Sequence, residues 1–249
     1  MSHHGHGSGL ASASKAHRIL RFVLVGSPNC GKTTLFNALT GLRAKTGNYP
    51  GVTVARYEGR HRVGEADVII EDLPGTYSLE AISPDEEVVS QVLGDGVSVG
   101  SPITGQIVLL DATSLRRSLT LLSHVQQVAR PTLVVLTFTD ELARRGGSID
   151  IKALSRAIGV RVIPIVAGDR AGVEELSEAL SSVESWPAPI VPPPIGQSDV
   201  FSWSASVLEA AHYREADTDR RSHGIDRVLL HPLWGTLVFF ATMFAFFQI

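Results

Sequence analysis

The eight residues Gly26-Ser27-Pro28-Asn29-Cys30-Gly31-Lys32-Thr33 have the Gly-x-x-x-x-Gly-Lys-Ser/Thr spacing of a phosphate-binding loop. Glycines let successive backbone N–H groups turn onto phosphate oxygens, and the free amides at the start of the following helix, at Thr34, favour the negative charge. Lys32 reaches the β- and γ-phosphates, and the Thr33 hydroxyl is placed to ligate Mg²⁺. Both flanks suit the motif. Residues 19–25 read as an apolar strand, and 34–41 as a helix closed by Gly41. A chance glycine-rich turn is the alternative, and it would not require these flanks.

Three further stretches carry chemistry. Asp72-Leu73-Pro74-Gly75 begins 39 residues after Thr33, at the end of a strand. A carboxylate there can hold Mg²⁺ through its water shell, and Gly75 lets a backbone N–H approach a γ-phosphate. Between these lies Gly51-Val52-Thr53, where Thr53 is the candidate switch residue closing over Mg²⁺ and the γ-phosphate; an ordinary β-branched strand residue is the competing reading. The third stretch, Thr137-Phe138-Thr139-Asp140, follows an apolar strand. Asp140 can accept hydrogen bonds from guanine N1 and its exocyclic amine, which adenine does not offer. Thr137 stands where guanine-binding proteins usually carry an asparagine whose amide contacts the base and braces the phosphate loop, so guanine preference with weaker binding is expected. Val166 and Ala167 follow a later strand at the position of a base-capping turn, where Val166 lacks the usual serine hydroxyl.

These residues need a scaffold that brings strand ends together. Residues 42–53 are polar and turn-rich and read as a mobile loop. Residues 54–63 and 66–71 read as a hairpin. A capping box at Ser83-Pro84-Asp85-Glu86 opens a helix to about residue 93, and 94–105 reads as a loop. Residues 106–111 and 132–137 are continuous apolar strands of the doubly buried kind, and 160–166 is another strand. Helices are expected over 115–129, 151–158 and 173–183. This alternation predicts an α/β fold, a mostly parallel sheet flanked by helices, with ligands at the carboxyl ends of its strands.

Composition sets the frame. The 249 residues, 44% hydrophobic and 19% charged, suffice for one α/β domain and something smaller. A net charge of −3 gives no reason to expect a nucleic-acid partner, and the single cysteine, Cys30, fits a reducing cytoplasm and a small filler position. Residues 1–18 read as a disordered leader, 19–185 as the nucleotide-binding domain, and 186–197, rich in proline, as a stiff linker at a domain boundary. Within 198–231 a charged helix is expected over 204–220. Residues 232–249 are apolar and uncharged, and read as the start of a transmembrane helix, with a buried core helix as the alternative.

The chain resembles the FeoB family of bacterial ferrous iron transporters. The resemblance rests on Gly47-Asn48-Tyr49-Pro50-Gly51-Val52-Thr53, on Asp72-Leu73-Pro74-Gly75-Thr76-Tyr77-Ser78-Leu79 followed by Ser83-Pro84-Asp85-Glu86, and on Gly224-Ile225-Asp226-Arg227-Val228-Leu229-Leu230-His231-Pro232. It implies a P-loop NTPase G domain of the TRAFAC type that binds GTP and GDP with Mg²⁺, a short helical segment, and a pore domain in the bacterial inner membrane, with the G domain on the cytoplasmic side. Assembly with further copies is left open. The family's helical domain is usually longer than the stretch between Gly196 and Gly224.

The resemblance also bears on mechanism. Thr76 stands where many GTPases place a glutamine that orients the attacking water, and no arginine finger is evident. Asn29 matches the asparagine with which potassium-activated GTPases of this kind hold K⁺ against the phosphates; an ordinary loop asparagine bonded to its own turn is the alternative. Slow hydrolysis stimulated by K⁺ is the expectation, with Asn29, Lys32, Thr53 and Gly75 as the catalytic set. Two rival readings remain at this point: a soluble ribosome- or tRNA-associated GTPase, and a nucleotide-binding module with weakened guanine affinity.

Overall fold

Residues 19–25 combine β-branched, aromatic and leucine side chains, interrupted only by Arg21, which suits a strand buried on both faces. In the computed structural model, which describes residues 19–64, 66–80, 83–98, 100–189, 191–217 and 231–248, this run forms β1 (Ile19–Gly26). The other strands in chain order are β2 (Ala44–Asn48), β3 (Ala55–Val63), β4 (Ala66–Asp72), β5 (Val97–Ser98), β6 (Ser101–Pro102), β7 (Gly105–Asp111), β8 (Thr132–Thr137) and β9 (Val162–Ile165). Seven of them form one sheet in the order β2-β3-β4-β1-β7-β8-β9, while β5 and β6 pair separately. Strands β4, β1, β7, β8 and β9 are parallel, and antiparallel pairing is confined to β2, β3 and β4. Because the chain continues to opposite sides of β1, the carboxyl end of β1 is a topological switch point, where ligands of such sheets bind.

The helices are α1 (Lys32–Thr40), α2 (Pro84–Asp95), α3 (Leu115–Val125), α4 (Thr139–Arg144), α5 (Ile151–Ile158), α6 (Arg170–Ser181), α7 (Gln197–Ala210) and α8 (Pro232–Gln248). Alternation along β1 sorts them into two layers. Leu20, Phe22 and Leu24 pack with Leu35, Phe36, Leu176 and Leu180 of α1 and α6, whereas Val23 and Val25 belong to the cluster containing residues of α2, α3, α5 and α7. Local signals explain most helix limits. Ser83 and Glu86 close the capping box expected of α2, and Gly41, Gly96 and Gly159 end α1, α2 and α5 in the left-handed region.

Four expectations are corrected. The presumed loop 42–53 contains β2, a fully exposed edge strand whose order comes from its ladder with β3. The loop 94–105 contains the short β5 and β6 pair. The charged helix expected over 204–220 is α7, which starts at Gln197 and ends at Ala210; His212 then takes φ 49° and Arg214 pairs with Ser148. Finally, the proline stretch separates no second core among the described residues. Trp186 is buried and its indole N–H donates to Ala179 O at 2.9 Å, Gln127 donates to Pro193 O at 2.6 Å, and Val207, Leu208 and Ala211 join the core over α3 and α5.

Residues 1–18 and most of the Gly224–Pro232 motif lie outside the described residues. The 17-residue α8 exposes Leu237, Phe240, Phe244 and Phe247. At 1.5 Å per residue it measures about 25 Å, short of a hydrocarbon core of about 30 Å. No helix among the described residues is long and apolar enough to cross a membrane.

Candidate functional site

The phosphate loop leaves β1 at Gly26, where a Cβ would stand 2.6 Å from the Cys30 sulfur. Asn29 at φ 63° and Gly31 at φ 90° reverse the chain, and Lys32 opens α1 with no side-chain cap. The first amides of α1 are therefore left for an anion. Cys30 fills the space beneath; burial pushes its thiol up to about 11, so it stays protonated at neutral pH.

Across the loop stands Asp72, the last residue of β4. Thr33 Oγ1 donates to its Oδ2 at 3.4 Å, and Lys32 Nζ lies 3.7 Å from its Oδ1. Burial raises the Asp72 carboxyl above its ordinary range, with Lys32 and Thr33 opposing the rise. Asp72 Oδ1 and Ser27 Oγ are both buried without a hydrogen-bond partner. Orphaned oxygens beside a threonine hydroxyl form a donor set that suits a hard cation such as Mg²⁺.

The Asp-Leu-Pro-Gly turn is strapped to the same loop. Leu73 N donates to Leu24 O and Thr76 N to Gly26 O, each at 3.2 Å, and a Cβ on Gly75 would meet Pro28 N and Cα at 3.1 Å. The missing side chain at Gly75 thus serves the contact with Pro28. Thr76 is buried; its hydroxyl bonds Ser78 O and reaches Glu86 Oε1 at 3.4 Å. Thr53, by contrast, is exposed and lines a separate recess with Gly51, Val52 and Pro84; among the described residues no hydrogen bond joins it to Thr33 or Asp72.

Beyond α1 lies a cavity of about 510 Å³ between the carboxyl ends of β8 and β9, lined by Gly31, Thr34, Phe138, Val166 and Ala167 among others. Thr137 is buried at the end of β8. Its hydroxyl is 2.9 Å from Cys30 O and 3.2 Å from Leu110 O, so it does brace the phosphate loop, onto the adjacent strand as well. Asp140 is exposed in the first turn of α4, outside the cavity lining. Asp169 caps α6 by accepting from Ala171 N at 2.9 Å, and its own amide donates to Val166 O at 3.0 Å, which fixes the Val166-Ala167 turn. Sequence reasoning missed the apolar walls, Leu35, Ala38, Val173 and above all Phe138. Phe138 holds φ 58°, an uncommon value for a bulky residue and one that aims the chain into α4. Its place as the second residue of Thr-x-x-Asp was the available clue.

A mostly parallel sheet with a phosphate loop at its switch point, a Thr33–Asp72 pair and an apolar cavity beside them define the chain as a G domain of the P-loop NTPase class. The chain belongs to the ferrous iron transport protein B family, whose sequence model matches residues 20–180. It is 42% identical over 163 residues to the Fe(2+) transporter FeoB of Leptospira biflexa, covering 66% of this chain and 23% of that protein. Likeness to the Fe(2+) transporter FeoB of Legionella pneumophila strain Lens is also 42%, over 162 residues, covering 64% and 21%. The chain therefore spans about a quarter or less of the length of these curated relatives.

Solved structures agree. The cytosolic domain of L. pneumophila FeoB superposes with a TM-score of 0.63 at 38% identity, covering 69% of this chain and 66% of that one. The cytosolic domain of T. maritima FeoB in its GMPPNP form gives 0.64 at 31% identity, covering 72% and 69%. The isolated T. maritima G domain gives 0.61 at 33%, and is covered in full by 68% of this chain. This membership favours the transporter reading over a ribosome-associated one.

Proposed function

We propose that this chain is the GTP-binding and GTP-hydrolysing switch of a membrane ferrous iron transporter. The observation that carries the reading is the Thr33–Asp72 pair, with its orphaned carboxylate oxygen, set beside the phosphate loop and its adjoining cavity. Lys32 and the α1 amides neutralise phosphate charge. Thr33 and Asp72, joined by Thr53 when triphosphate is bound, would hold Mg²⁺, which would supply positive charge against the phosphates. Gly75 keeps the Asp72 turn pressed to the loop and, with Thr53, senses the γ-phosphate. Phe138 offers a flat wall to the base, Val166 and Ala167 cap it, Thr137 sets the loop beneath it, and Asp140 reads guanine. The T. maritima relatives solved in GDP and GMPPNP forms support a guanine nucleotide. Ferrous iron transport comes to this chain from its relatives' names, and the pore and the bacterial inner membrane from what the family resemblance implies, with α8 as the first apolar segment leading toward the bilayer.

Hydrolysis is expected to be slow. The Thr76 hydroxyl is engaged by Ser78 and Glu86, which leaves no side chain at that position to orient water. Asn29 is different: its exposed carboxamide makes no hydrogen bond among the described residues, so it is not held by its own turn. We assign it to K⁺, whose charge would supply the electrostatic assistance an arginine gives elsewhere. GTP turnover by the full chain tests this in matched K⁺ and Na⁺ buffers. The expected result is turnover about tenfold or more faster in K⁺, with the difference lost in Asn29→Ala. Equal rates in the two salts, or a K⁺ response that survives the substitution, would overturn the assignment.

A further inference from the structure

Glu71 is wholly buried on β4, one residue before Asp72, and the proposed mechanism gives it no task. A buried carboxylate is tolerated only when surrounded by donors. Here it accepts from Tyr49 Oη at 2.7 Å and from Arg56 Nε at 3.2 Å, and Arg21 lies 3.4 Å away. Ser98 Oγ sits 2.7 and 2.6 Å from its two oxygens. Arg21 and Arg56 also reach Glu58, which completes a polar cluster beneath the sheet edge.

Of these donors Tyr49 is the one in a switch segment. It follows β2 directly, is 5% exposed, and stands at the foot of the loop that carries Thr53. Burial and the Glu71 charge push its phenol far above the ordinary range, so the hydroxyl remains a donor. The loop closes on this foot: Tyr49 N donates to Val54 O at 3.0 Å and Val52 N to Tyr49 O at 3.3 Å, with Gly51 at φ 81° making the turn. Below it, Asn48 and Ala55 are partners in the β2–β3 ladder. Alternation along β4 sends Glu71 to the Tyr49 side and Asp72 to the Thr33 side of one strand.

We propose that Tyr49 is a positioning residue for the nucleotide cycle: its hydroxyl, latched to Glu71, fixes the foot of the switch loop against the strand that supplies Asp72. Movement between nucleotide states is then confined to residues 50–53, where a freely released 42–53 loop was expected. The inference rests on the GTPase reading, since Thr53 is the residue positioned. It does not require Tyr49 to touch nucleotide.

Hydrogen–deuterium exchange and steady-state GTP turnover on the full chain test it, using Tyr49→Phe, which keeps the ring. In nucleotide-free protein, exchange at the amides of Tyr49 and Val52 is expected to rise about tenfold in the variant, the scale of one hydrogen bond to a charged group. With GDP and GMPPNP, wild-type differences should stay within 50–53 and spread across 44–54 in Tyr49→Phe. Its kcat should fall about tenfold while GDP affinity holds within about twofold. Ser98→Ala removes another Glu71 donor but spares the latch, and should leave both loop exchange and kcat near wild type. If Tyr49→Phe does not fold, Glu71→Gln, which keeps an acceptor but loses the charge, should give a smaller shift of the same kind. Wild-type exchange and kcat in Tyr49→Phe, or equal loosening in Ser98→Ala, would overturn the proposal. If the wild type binds no guanine nucleotide, the GTPase reading fails, and the nucleotide-free comparison still decides the latch.

Discussion

Thr137 shows how one short side chain takes over a larger one's task. Its hydroxyl ties the phosphate loop at Cys30 O to β7 at Leu110 O from a buried site, a job assigned in sequence terms to an asparagine amide. Thr137→Ala should therefore cost about 1–2 kcal/mol of stability in urea denaturation and weaken GDP about fivefold in a binding titration. A variant with wild-type GDP affinity would mean the brace is dispensable. Lys32, Thr33 and Asp72 were legible because their spacing belongs to a local motif plus one strand end. Phe138 and Tyr49 were not. Phe138 lines the cavity from a left-handed backbone that no composition rule marks, and Tyr49 meets its partner, Glu71, from another part of the chain.

Elements whose signals lie within their own residues were readable. The apolar runs of β7 and β8, the capping box of α2 and the helix α5 all fall where sequence reasoning put them, to within a residue or two. Strand β2 was hidden because Ala44-Lys45-Thr46-Gly47-Asn48 has no apolar face, and its order comes from hydrogen bonds to β3. Helix α7 was misplaced because the preceding prolines suggested a boundary, whereas its apolar side docks on α3 and α5. This gives α7 an energetic role in the G domain. Leu208→Ala, opening a cavity in that core, should destabilise the domain by about 2–4 kcal/mol in chemical denaturation. A change below about 1 kcal/mol would indicate that α7 is an appendage.

At the scale of the whole molecule, one chain joins a sheet built around a phosphate loop to an apolar helix whose Phe240, Phe244 and Phe247 are exposed. Family membership was legible because the motifs at 47–53 and 72–79 run on from the ends of strands β2 and β4, within the residues that the family model matches. The account depends on one property above others, selective binding of guanine nucleotide. Calorimetric titration of the full chain with GDP, GMPPNP and ATP in Mg²⁺ measures it directly. Micromolar GDP and GMPPNP binding, with ATP at least about a hundredfold weaker, is the result predicted by the proposal that Asp140 reads the base. Equal affinity for ATP, or no nucleotide bound at all, would contradict it.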